Sequence, residues 1–122
     1  MQPIIMQDWI TIRGSASNNV IQSQSAWLLT APFQDITFYI DVREMTSTPQ
    51  FQFETAPSRD EVLFVRMGAA FAPTVGSTVV KNYYAANADA PVSHWARWKL
   101  VAPAVTPWDL SFRIMAVGNA PC

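Results

Sequence analysis

His94-Trp95-Ala96-Arg97-Trp98-Lys99-Leu100-Val101 and Trp108-Asp109-Leu110-Ser111-Phe112-Arg113-Ile114-Met115-Ala116-Val117 are the two stretches that decide the fold. Both alternate with period two, the spacing of a strand with one face in a core. Ala96, Trp98 and Leu100 share one face of the first stretch, and Trp95, Arg97 and Lys99 share the other. In the second, Leu110, Phe112, Ile114 and Ala116 lie opposite Asp109, Ser111, Arg113 and Met115. Such a pattern predicts antiparallel pairing, with one face packed inward and the other turned to water or to a partner.

The same alternation recurs upstream. Between Asp35 and Glu44, Ile36, Phe38, Ile40 and Val42 point one way and Thr37, Tyr39, Asp41 and Arg43 the other. The turn Thr46-Ser47-Thr48-Pro49 leads into Gln50-Phe51-Gln52-Phe53-Glu54-Thr55, so the segment 35–55 reads as a hairpin, laid out like 94–117. Shorter strands are predicted at Trp9–Arg13, Val20–Gln22, Ala26–Leu29, Val62–Arg66 and Thr78–Tyr84. Most prolines fall between strands. The expected fold is all-β, an antiparallel β-sandwich of jelly-roll type with about eight strands. An up-and-down barrel fits less well, because the strands are short and their connections uneven. Residues 1–7 read as an extended N-terminal arm, 8–117 as the sandwich domain and 118–122 as a C-terminal tail.

Composition narrows the function. A chain of 122 residues is one domain by size. Half of it is hydrophobic, with five Trp and seven Phe, and only 14% is charged, against the usual quarter. So few charges predict a surface partly hidden against other subunits, although the many Gln, Asn, Ser and Thr can keep a monomer soluble. The formal net charge of −1 gives no support for electrostatic capture of nucleic acid or an anionic membrane. No apolar run approaches the roughly 20 residues of a membrane span. The segment Met1-Gln2-Pro3-Ile4-Ile5-Met6-Gln7-Asp8 lacks the basic start and long apolar region of a signal peptide, so synthesis and retention in a cytoplasm are expected unless an assembly carries the chain out.

Catalytic signals are thin. His94 is the single histidine; it adjoins Ser93, which alternation turns to the opposite face, and no G-x-S-x-G elbow is present. Asp60-Glu61 reads as a solvated turn beside Arg59, and the Asp41/Glu44 region offers no defined acid–base pair. Neither a P-loop nor G-x-G-x-x-G occurs. Asn87 and Asp89 could offer oxygens to calcium, but without the dense carboxylate array a hard cation needs. One cysteine and one histidine cannot build a four-ligand zinc site. No enzyme activity, cofactor or metal is expected.

Binding is the better expectation. Trp95 beside Arg97 and Lys99, and Tyr39 beside Asp41 and Arg43, are the residue types that anchor protein interfaces. The bland alternative buries both sheet faces within one chain, Trp95 covering an edge. A third reading makes Trp95, Tyr39, Tyr83 and Tyr84 stacking platforms for a glycan, as in a carbohydrate-binding, lectin-like module. The apolar residues of the arm, Pro3, Ile4, Ile5 and Met6, are expected to dock on a neighbouring subunit. Burial of four such side chains is worth roughly 6–12 kcal/mol before ordering costs. Cys122 is either an inert thiol or, in an oxidising setting, an intermolecular disulfide.

Two segments, Ile36-Thr37-Phe38-Tyr39-Ile40-Asp41-Val42 with Thr48-Pro49-Gln50-Phe51-Gln52-Phe53-Glu54, and Ala96-Arg97-Trp98-Lys99-Leu100 with Thr106-Pro107-Trp108-Asp109-Leu110-Ser111-Phe112-Arg113-Ile114, share the layout strand, Pro-containing turn, strand. In that layout, over about 40 residues, the chain resembles the small β-sandwich structural proteins of tailed phages. The resemblance implies a capsid-decorating, capsid-stabilising or other virion protein, often a homo-oligomer, that contacts capsid or other virion proteins and has no enzyme activity. A receptor-binding tail or baseplate component is the variant of the same class. No site residue carries over, because no family motif is matched.

Overall fold

The computed structural model describes residues 3–84 and 88–119. In chain order the strands are β1 (Ile4–Gly14), β2 (Val20–Ile21), β3 (Leu28–Leu29), β4 (Asp35–Thr46), β5 (Gln50–Ala56), β6 (Val65–Arg66), β7 (Val79–Tyr83), β8 (Trp95–Val101) and β9 (Trp108–Asn119). They form two antiparallel sheets, one ordered β1-β9-β4-β7 and the other β2-β8-β5-β6, with β3 also on β8. β2 and β3 lie along one edge of β8 as two halves of an interrupted strand, Val20 opposite Leu100 and Leu28 opposite Ala96. Counted that way, the chain crosses from one sheet to the other at every connection but β5–β6. That is the strand order of a jelly roll.

The core is the space between the sheets. β4 and β9 supply Ile36, Phe38, Ile40, Leu110, Phe112, Ile114 and Ala116, all fully buried, and β5 and β8 answer with Phe51, Phe53, Ala96, Trp98 and Leu100. These are the faces that alternation assigns inward. Aromatic rings join the sheets: Phe38 stacks on Phe53 with centroids 3.8 Å apart, and Phe112 meets Phe51 and Trp98 edge-on at 5.1 and 5.2 Å.

Two expectations about connectivity are corrected. The segments 35–55 and 94–117 are not hairpins. β4 pairs with β9 and β7, whereas β5 pairs with β8 and β6; β8 and β9 likewise belong to different sheets. Each Pro-containing turn rolls the chain over, so that the apolar faces of its two strands look at each other across the core. Local alternation is the same for a hairpin and for such an arch, and only the turn differs. Here Ser47 takes a left-handed backbone, φ 59°, and its Oγ donates to the Pro107 carbonyl at 3.0 Å, tying the two arches together.

The boundaries of the domain also move. Residues 4–7 are not a free arm: β1 begins at Ile4, opposite Ala116 of β9. Met6 is buried in the core, and its carbonyl accepts from Gln22 Nε2 at 3.0 Å. The register is irregular between Ile5 and Gln7 and again between Gln7 and Ile10, and along this stretch Met6 is buried while Trp9 stays outside. At the other end Gly118 and Asn119 belong to β9, paired with Ile36 and Asp35. Val62–Leu63 lies in a 3₁₀ turn, not in β6. Cys122 and Asn87 lie outside the described residues.

Candidate functional site

The outer face of the five-stranded sheet is closed by its own chain. Arg97, expected at an interface, is instead buried. Its Nε donates to Glu54 Oε1 at 2.8 Å across the β5–β8 ladder, and the two side chains are 7% and 9% exposed. The rings of Trp27 and Phe64 roof the pair, packed edge to face at 4.7 Å, with the guanidinium 4.1 Å from Phe64. The segments that bring these rings, 22–27 and 57–64, each fold over the sheet. Gln22, fully buried, holds the first: Nε2 donates to Met6 O and Ala26 O, Oε1 accepts from the Trp98 amide, and its carbonyl accepts from Trp27 Nε1. Trp95 is half-buried, with the Arg59 guanidinium 5.1 Å above its ring.

Outside that cover stands a small knob. Asp60 accepts from the Val62 amide and starts the 3₁₀ turn Glu61–Leu63. Val62 is 87% exposed, with Leu63 and Val65 exposed beside it. Arg59 anchors the knob by donating to the Gln24 carbonyl at 2.8 Å, and Phe64 anchors it from below.

The outer face of the four-stranded sheet, by contrast, is open. Tyr39 stands between Met115 and Val80, and Ile5 is opposite Met115, so an apolar row crosses all four strands. Ile5, Tyr39 and Val80 are exposed. Next to that row, Arg113 donates from Nη2 and Nε to Asp41 Oδ2 at 2.7 and 3.2 Å, and Thr78 Oγ1 donates to Asp41 Oδ1. Those two partners hold the Asp41 carboxyl below the usual carboxylate range, the Thr78 hydrogen bond being the larger cause. Over the same spot Trp9 carries Arg43 at 4.2 Å and Arg113 at 5.1 Å from its ring centre. Trp9, Asp41, Val42, Arg43, Gly76, Ser77 and Thr78 line an open cleft of about 250 Å³.

The interface residues expected from sequence therefore divide. Pro3, Ile5, Tyr39 and Arg43 are on the surface, and the last three share one sheet face; Ile4 is half-buried, and Met6 and Arg97 are interior. Trp9 is the addition. It alternates with Thr11 and Arg13 on the polar side of its strand, the criterion that singles out Trp95, and that signal could have found it. Of the aromatic platforms proposed for a glycan, Tyr83 is buried against Phe38 and Phe53, while Tyr84 is exposed. Ser93 and His94 supply main-chain groups to Thr30, Thr55 and Ala56. Asp89 pairs with Arg66 at 3.1 Å, and among the described residues no cluster of three His, Cys, Asp or Glu is placed to hold a metal. No helix among them is long and apolar enough to cross a membrane.

No family model matches this sequence, and no curated protein matches it. Solved structures similar in shape include the following two. One is a chain of the disulfide-linked pili that form Bacillus endospore appendages, with a TM-score of 0.45 and 13% identity over 98% of this chain and 93% of that one. The other is a chain of infectious bursal disease virus, Gx strain, with a TM-score of 0.46 and 8% identity over 94% of this chain and 31% of that one. Similarity at this level assigns no function.

Proposed function

We propose that this protein is a structural subunit of a virion, a decoration or stabilising protein on the capsid of a tailed phage, working by subunit contacts and without catalysis. The observation that carries the reading is the open face of the β1-β9-β4-β7 sheet. There an aromatic–arginine pair, Trp9 and Arg43, and an apolar row, Ile5, Tyr39 and Val80, lie exposed together on a rigid surface. Trp, Tyr and Arg are the residues that dominate interface energies, and strands present them with little entropy left to lose. The low charge content of the chain agrees with a surface meant to be covered.

The experiment is the native mass of the purified chain by light scattering, with and without reductant, together with co-sedimentation with tailed-phage capsids. Self-association or capsid binding that falls on Tyr39→Glu supports the proposal, and sensitivity to reductant gives Cys122 a part in it. A stable monomer that binds no capsid overturns it. Binding on a glycan array would move the protein to the lectin-like class; against that, both Trp9 and Trp95 already carry guanidinium groups over their rings.

A further inference from the structure

The cleft at Trp9 has a definite electrostatic character. Asp41 is neutralised by Arg113, whereas Arg43, at the same site, forms no ion pair with a carboxylate among the described residues. The cleft thus presents one uncompensated cation, parked on the Trp9 ring at 4.2 Å, beside the apolar row Ile5–Met115–Tyr39–Val80. A matching occupant carries a carboxylate next to exposed aliphatic side chains. The chain itself displays one. On the knob, Asp60 and Glu61 directly precede Val62 and Leu63; Glu61 forms no ion pair among the described residues, and Val62 is 87% exposed.

We infer that the Asp60–Leu63 knob of one copy docks into the Trp9–Arg43 cleft of a second copy, Glu61 taking Arg43 and Val62 with Leu63 covering the apolar row. This rests on the structural-subunit reading above. Both surfaces are ordered before they meet: the knob by its Asp60 cap, Arg59 and Phe64, and the cleft by the Asp41–Arg113–Thr78 network. Little ordering cost is left to binding. Knob and cleft lie on the outer faces of opposite sheets. The contact is therefore heterologous, and a docked pair keeps one knob and one cleft free to add a further copy, giving a ring or an open row.

The test uses the full chain in sedimentation at increasing concentration, with Arg43→Glu to disable the cleft and Val62→Asp to disable the knob. Both residues are exposed, and circular dichroism confirms the fold; Arg43→Gln replaces the first variant should it unfold. The wild type is expected to grow in mass with concentration. Each variant alone should self-associate about thirtyfold or more weakly, the scale of losing one interface anchor. An equimolar mixture should form a one-to-one dimer and stop there, because only one intact knob and one intact cleft remain. Arg43→Glu combined with Glu61→Arg should restore growth. If either variant still associates like the wild type, the docking is wrong while the structural-subunit reading stands. A monomer that nevertheless binds capsids has the same meaning, and a monomer that binds none overturns both.

Discussion

Glu54→Leu tests how the outer face of the five-stranded sheet is closed. The substitution keeps a side chain of similar reach but leaves the Arg97 guanidinium, 7% exposed, with no counter-ion beneath Trp27 and Phe64. Its Nη1 is already buried without a hydrogen-bond partner, so no second acceptor stands ready to take over. Removing one partner of a buried pair typically costs about 3–5 kcal/mol, most of it the stranded charge. Unfolding entropy of roughly 2.1 cal/mol/K per residue, over 122 residues, turns that into a drop in Tm of about 12–20 °C. The companion is Glu54→Leu with Arg97→Met, which removes both charges and gives the two rings a thioether to pack on. It should recover to within about 1 kcal/mol of the wild type or exceed it. Thermal melting followed by circular dichroism, with urea melts for the free energies, measures all three proteins. A single variant melting within a few degrees of the wild type would show that the pair is solvated and its roof open. A double variant no better than the single would place the loss in packing and not in charge.

Two further substitutions probe the core. Gly14→Ala should destabilise the fold by about 1–3 kcal/mol or more, since an added Cβ would sit 2.0 Å from the ring of Trp108, itself 1% exposed and unable to move aside; a urea midpoint equal to the wild type's would refute the contact. Burial pushes the Tyr83 hydroxyl up to about 12, with Asp89 adding to the shift. A raised pKa in the folded state means stability that is whole below the unfolded value near 10 and is lost as pH climbs through about 12. Tyr83→Phe should flatten stability over that window, and a wild-type chain whose stability does not fall there would contradict the burial.

The faces of the strands were legible in the sequence because burial on one side of a sheet imposes period two. For Ala96, Trp98 and Leu100, and for Leu110, Phe112, Ile114 and Ala116, that is enough to place the core. Pairing was less legible. Whether β4 meets β5 or β9 is decided by the roll of a three-residue turn and by aromatic packing across sheets, neither of which alternation encodes. Arg97 shows a second blind spot. It lies on the outward side as its position demands, but residues 22–27 and 57–64, far from it in sequence, fold over that side and make it interior. Tyr39 and Arg43 were legible as outward residues because, among the described residues, no segment roofs them as Trp27 and Phe64 roof Arg97, and both stay exposed.

The position of β9 has a consequence for how the protein is made. It lies between β1 and β4, so the four-stranded sheet has no middle until residues 108–119 have left the ribosome. Until then β1 and β4 expose the strand edges that β9 will fill, with Ile36, Phe38, Ile40 and Val42 waiting for the other wall of the core. Distant pairings of this kind fold slowly, and unpaired apolar strands are the species that aggregate. The strand that joins β1 to β4 is thus made after both of them, and a chain cut short before Trp108 leaves the two edges that β9 covers unpaired.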